Sequence, residues 1–143
     1  MATYLLVAHQ TAQSPELLDA ARQLRQEDAS AAFMVLVPRT PVGNLLVWEE
    51  GETAEVAERH AAGARARLQE HGMTVLDAKT GDQDPVTAIG DELRNGGRRY
   101  AAIVLSTLPP GASRWLSMDV ISRSRRTFPR HRVFHVVSES RPG

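Results

Sequence analysis

The chain has 143 residues, 42 % apolar and 24 % charged, with a formal net charge of zero, a profile that excludes a disordered or fibrous polypeptide. It contains no cysteine, which excludes disulfides, thiolate chemistry and zinc sites of the cysteine type. No apolar run approaches the roughly 18 residues of a membrane span; the N-terminus, MATYLLVAHQTAQ, has neither a basic leader nor a cleavage pattern, so no signal peptide and a cytoplasmic location are expected.

Residues 3–8, TYLLVA, form a short apolar run rich in β-formers and predict a first strand. After HQTAQ comes Ser14-Pro15-Glu16, an N-cap residue with proline at the first helical position. The helix predicted over 15–28 places Leu17, Leu18, Ala21 and Leu24 at helical spacing. AAFMVLVP, 31–38, reads as a buried strand closed by Pro38. Residues 39–51 are a turn-rich connection carrying the apolar patch LLVW. A second helix is predicted over about 52–71, with glutamates at its start, arginines toward its end and Gly72 as its stop. MTVLDA, 73–78, is the third strand; Asp84-Pro85 caps and opens a helix ending near Asn95-Gly96-Gly97. YAAIVLS, 100–106, is the fourth strand, a helix follows from about 114 to 127, and RVFHVVS, 132–138, is the fifth strand.

Charge is unevenly distributed along this order. Residues 1–93 hold seven Lys+Arg against fifteen Asp+Glu, a balance of −8, and residues 94–143 hold ten against two, a balance of +8. Such asymmetry fits either an anionic partner or two halves that interleave and neutralise each other, and the second is the simpler expectation.

Strictly alternating strands and helices predict an α/β domain, a doubly wound open parallel five-stranded sheet with helices on both faces. No linker or internal repeat divides the chain, so 1–143 is expected to be a single domain. For strand order 3-2-1-4-5, ligands sit where the order reverses, at the carboxyl ends of strands one and four. The loops there are HQTAQ, 9–13, and STLPPGAS, 106–113.

With these residues in place the chain resembles the universal stress protein family, of the adenine nucleotide alpha hydrolase-like fold. The resemblance covers nearly the whole sequence: TYLLVAHQT at the first strand, GDQDPVTAI after the third, and AAIVLSTLPPGASRWLSMDVISRSRRTFPRHRVFHVVS at the end. Nucleotide-binding members carry Gly-x2-Gly-x9-Gly-Ser/Thr across the last loop, where backbone N–H groups and a helix N-terminus cradle phosphate. Laid on this chain, the first glycine falls on Ser106, the second on Pro109, and the Gly-Ser pair near Asp119-Val120; Gly111 is the only glycine in the loop. Proline supplies no N–H, and an aspartate sets a negative charge against phosphate. The family's aspartate at the end of strand one is replaced by His9 or Gln10. The resemblance therefore implies a divergent member with a degenerate ATP motif.

Other chemistries are thinly signalled. His131 and His135 have the spacing of a helical metal pair, but in a strand this separates them by about 13 Å, so they cannot share a metal. His60 and His71 lie on the second helix without an HExxH pattern and read as solvated helix histidines. Ser113 reads as an N-cap and Trp115 with Leu116 as packing anchors; Arg123, Arg125 and Arg126 read as a solvated helix face, and Asp119 is placed to pair with an arginine. There is no nucleophile elbow, no Walker or Rossmann glycine motif and no basic patch interleaved with aromatics. No catalytic residue, metal ligand or nucleic-acid partner is expected.

A non-enzymatic stress-response or regulatory module is the leading expectation. A small anionic ligand would contact His9, Gln10, Thr11, Val37, Ser106, Thr107, Gly111, Ser113 and Arg114. The resemblance implies adenine against the backbone near Val37 and phosphates near 106–113. No cofactor is expected, with ATP or AMP held by a remodelled phosphate loop as the alternative. A third reading makes His9 the base of an enzyme acting on a small anion. The fifth strand, 132–138, is an edge strand with apolar residues on both faces, and relatives commonly dimerise there, which implies a homodimer.

Overall fold

A computed structural model describes residues 2–39, 50–109 and 117–138. Nine elements follow in strict alternation: β1 (Thr3–Val7), α1 (Pro15–Glu27), β2 (Ala32–Pro38), α2 (Glu50–Glu70), β3 (Thr74–Gly81), α3 (Pro85–Asn95), β4 (Ala102–Thr107), α4 (Ser117–Thr127) and β5 (Arg132–Val137). The five strands form one sheet in the order β3-β2-β1-β4-β5, and all four pairings are parallel. The α/β class, the strand order and the boundaries of most elements are as the sequence predicts.

The helix starts are set by side chains that satisfy backbone N–H groups left over at a first turn. Ser14 accepts from the Leu17 N–H at 3.1 Å, and Asp84 accepts from the Thr87 N–H at 3.0 Å; each is followed by proline at the first helical position. Gly72, at φ 83°, ends α2 in a conformation that side-chain-bearing residues rarely adopt. The Met73 N–H turns back there to the Leu68 carbonyl at 3.0 Å, while the Arg25 guanidinium of α1 donates to the Gly72 carbonyl at 2.6 Å. One link thus ties the last turn of α1 to the end of α2.

Two apolar layers sandwich the sheet. On one face Leu6, Phe33, Val35, Val37 and Val104 pack under α1 and α2, which contribute Leu17, Leu18, Ala21, Ala57, Ala61, Ala64 and Leu68. The α2 contributions recur every three or four residues and, apart from Leu68, are alanines, so the helix lies close to the strands. On the other face Leu5, Val7, Met34, Leu36, Ile103 and Leu105 pack under Ala88 and Ile89 of α3 and Val120 and Ile121 of α4. β1, β2 and β4 are buried throughout apart from Tyr4, as expected of strands covered on both faces.

β3 runs three residues beyond its apolar segment, because β2 continues to Pro38 and Lys79, Thr80 and Gly81 pair alongside Leu36, Val37 and Pro38. Backbone pairing, invisible to apolar patterning, extends the strand. α4 begins at Ser117 among the described residues; the predicted start at 114–116 lies outside them.

Candidate functional site

The order reverses between β1 and β4, and the carboxyl ends of these strands bring together residues far apart in sequence. β1 leads into a loop of consecutive turns, in which the Ala12 N–H donates to the His9 carbonyl at 3.1 Å and the Ser14 N–H to the Thr11 carbonyl at 3.0 Å. Its polar side chains turn inward: His9 and Thr11 are 4 % and 2 % exposed, and Ser106 and Thr107, at the end of β4, are 1 % exposed each.

The hydroxyls form a continuous relay. Thr11 Oγ1 lies 2.7 Å from Ser106 Oγ, Ser106 Oγ lies 3.1 Å from Ser138 Oγ, and Ser138 Oγ lies 2.8 Å from Ser14 Oγ. Ser14 Oγ in turn accepts from the Leu17 N–H, so the relay ends on the cap of α1. Beside it Thr107 Oγ1 meets His135 Nε2 at 2.8 Å. The Ser138 N–H donates to the Thr107 carbonyl at 2.8 Å, which closes the end of β5 onto β4. Each hydroxyl of the relay has a protein partner, the state that keeps a polar interior from costing stability. Leu108, 3 % exposed, continues the chain into the interior directly after Thr107.

His9 is the exception. Both ring nitrogens are buried and hydrogen-bond to no described residue. Its ring lies 5.0 Å from that of His60, with the planes tilted by 57°. Burial pushes the His9 imidazole down to about 4, and the neighbouring His60 adds to the shift. His60 is itself lowered, by burial first and then by Arg59. Both rings are therefore neutral at physiological pH.

Of the nine candidate ligand residues, the fold gathers His9, Gln10, Thr11, Ser106 and Thr107 at the reversal point, as the topology predicts. Val37 ends fully buried in the α1/α2 layer. Gly111, Ser113 and Arg114 lie outside the described residues, as do Trp115, Leu116 and the LLVW patch. Three smaller readings are corrected. His60 is not a solvated helix histidine but half-buried against His9. Arg123 is not part of a freely solvated face: its guanidinium donates two bonds of 3.0 Å to the Asp84 carboxylate and holds that carboxyl below its usual range. Arg125 donates to the Val133 carbonyl at 3.1 Å. Asp119 lies 4.0 Å from Arg123, a pairing the sequence allowed for. The Arg123–Asp84 bridge also joins the basic and acidic parts of the chain, as the interleaved reading of the charge asymmetry requires.

Ser138, His135 and Ser14 belong to this region, and sequence reasoning did not include them as contacts; only the cap role of Ser14 carried a signal. Among the described residues no group of three or more His, Asp or Glu is placed to hold a metal, and no helix is long and apolar enough to cross a membrane.

No family model matches the chain, and no curated protein matches it. Solved structures do. A universal stress protein from Archaeoglobus fulgidus superposes with a TM-score of 0.61 at 14 % identity, over 95 % of this chain and 93 % of that one. A protein of the universal stress protein family from Burkholderia pseudomallei superposes with a TM-score of 0.62 at 19 % identity, over 94 % of each. The chain has the universal stress protein fold. At these identities the likeness extends to the path of the chain and not to the chemistry of its loops, which the residues at the reversal point alone decide.

Proposed function

We propose that the chain is a non-enzymatic stress-response or regulatory module of the universal stress protein kind, cytoplasmic, and without ATP binding through the family's glycine motif. The observation that carries this reading is the hydroxyl relay. The hydroxyls best placed to take over from the missing glycines, those of Ser106 and Thr107, are bonded to Thr11, Ser138 and His135 and are buried. A phosphate entering here would have to break that relay; the freed hydroxyls could donate to it, but the oxygens that now accept from one another would be left without donors, at roughly 1 to 3 kcal/mol per orphaned group. Calorimetric titration with ATP, with and without magnesium, tests it. Absence of heat and of thermal stabilisation at millimolar ATP is the expected result; saturable micromolar binding would overturn it in favour of a remodelled phosphate loop.

The module acts as a homodimer joined through β5. That strand is at the sheet edge, Val137 is 40 % exposed, and Phe134 and Val136 are only half-buried. Beside it a groove of about 450 Å³ runs between α1 and the strands, lined by Tyr4, Leu24, Phe134, Val136, Glu27 and Arg132. An unpaired apolar edge with an adjoining groove that mixes apolar and charged side chains favours a second copy. Light scattering at high protein concentration should give twice the mass of the chain, and a monomer would refute the dimer.

A further inference from the structure

His9 poses a physical problem that the stress-module reading leaves untouched. A neutral imidazole carries one donor and one acceptor, and leaving both without partners in the interior forfeits the bonds each makes to water in the unfolded chain. Nothing in the local backbone forces this, since the same loop partners Thr11 and Ser14 fully. The fold instead sets a second neutral imidazole against the first.

Their spacing is informative. Two imidazoles that each bind one tetrahedral ion through nitrogen, at the usual 2.0–2.1 Å, hold their ring centres about 5 Å apart. The His9 and His60 centres are 5.0 Å apart, with tilted planes. Unstacked rings of this kind can direct nitrogens to a common point, which parallel stacked rings cannot. The pair bridges two rigid supports, the end of β1 and the middle of α2. One turn beyond His60 the helix carries Gly63, and the Gln13 amide lies where a side chain at that position would have to be. The absence of a Cβ at Gly63 thus admits the Gln13 carboxamide against α2, three residues along the helix from His60. An amide oxygen there can complete a coordination sphere or accept from a bound water.

We propose that His9 and His60 form a two-histidine site for a borderline divalent transition ion, with Zn²⁺ as the reference ion and the remaining positions filled by water and the Gln13 amide. Two imidazoles without a thiolate suit Zn²⁺, Ni²⁺ or Cu²⁺ and disfavour Ca²⁺ and Mg²⁺, which prefer oxygen. The sequence conceals the site because its ligands come from different elements and match no spacing motif. It does not depend on the stress-response reading, and ATP has no part in it.

The test uses the full chain, stripped with a chelator and titrated calorimetrically with Zn²⁺ in a non-coordinating buffer at pH 7.5. One Zn²⁺ should bind per chain with micromolar affinity, and Co²⁺ in its place should give a tetrahedral or five-coordinate visible spectrum. His60 is half-buried, so H60A should keep the native circular dichroism spectrum and lose at least tenfold in Zn²⁺ affinity. H71A, which alters a histidine on the same helix outside the pair, should bind as the parent does. Should H60A fail to fold, histidine ring nitrogen NMR on the parent decides instead: the His9 and His60 signals must shift together on adding one equivalent. No saturable binding below 1 mM Zn²⁺, undiminished binding by folded H60A, or shifts confined to His71, His131 or His135 would overturn the proposal.

Discussion

Two buried titratable groups occupy opposite faces of the same sheet, and the protein treats them in opposite ways. Glu92, 3 % exposed, accepts from the Tyr100 hydroxyl and pairs with the Lys79 ammonium, which reaches it from β3. Burial, and then the bond to Glu92, raises the Tyr100 hydroxyl above its ordinary range and keeps it a donor. His9, equally buried, has no described hydrogen-bond partner. A charge removed from water survives only when compensated, and Glu92 is compensated twice. An imidazole can escape the problem by staying neutral. The carboxylate cluster is thus a completed structural joint between β3, α3 and the start of β4, whereas His9 keeps unused bonding capacity at the place where ligands enter folds of this type.

The comparison breaks most readily at Glu92. Glu92→Ala should cost about 3 kcal/mol, measured by urea denaturation, because it strands the Tyr100 hydroxyl and removes the counter-ion of Lys79. The figure is held toward the low end because Lys79 is 41 % exposed and water can replace its partner.

Acid should reach His9 next. Its folded value, about 4, lies below the unfolded value near 6.5, so its contribution is complete above 6.5 and is lost as pH falls toward 4. In chelator-treated protein, unfolding free energy should drop by about 2 kcal/mol between pH 7 and pH 5 from this group. His9→Leu removes the titration and the unpaired nitrogens together. It should match or exceed the parent at pH 7 and show a flatter profile to pH 5; an unchanged slope would mean that His9 is not the acid-sensitive group.

The smallest effect sharpens the picture at a partly exposed joint. Asp84 caps α3 and receives Arg123. Asp84→Ala should lower stability by about 1 kcal/mol, most of it from the lost cap. Arg123→Ala should lower it less, because the bridge is a third exposed on each side. Salt should weaken the second effect and spare the first.

The fold was readable because its signals are local. Ser14-Pro15 and Asp84-Pro85 mark helix starts, Gly72 marks a stop, and five β-forming runs mark strands. The place of the site was readable too, since strand order decides where a crevice falls. Its bonding was not. Ser106 and Ser138 are ordinary serines until parallel pairing of β4 with β5 sets them side by side, and His60 is an ordinary helix histidine until α2 lies across the end of β1. Glu92 could have been found: Val86, Ile89 and Leu93 outline the apolar stripe of α3, and Glu92 falls within it. A carboxylate on a buried stripe signals a cation or a donor waiting elsewhere in the chain.

The position of β1 has a consequence in time. It leaves the ribosome before the other four strands, yet it is the central strand, with Tyr4 paired to Phe33 on one side and to Ala102 on the other. During synthesis β1, β2 and β3 can assemble early, but the β4 side of β1 stays open until about two-thirds of the chain has followed. The Ser14–Ser138 contact forms only when the fifth strand is made. A nascent chain in that interval presents an unpaired, largely apolar strand edge, which gives slow completion and exposure to mispairing. Rapid translation of residues 82–107 would shorten that interval, and a stall there would prolong the protein's most aggregation-prone moment.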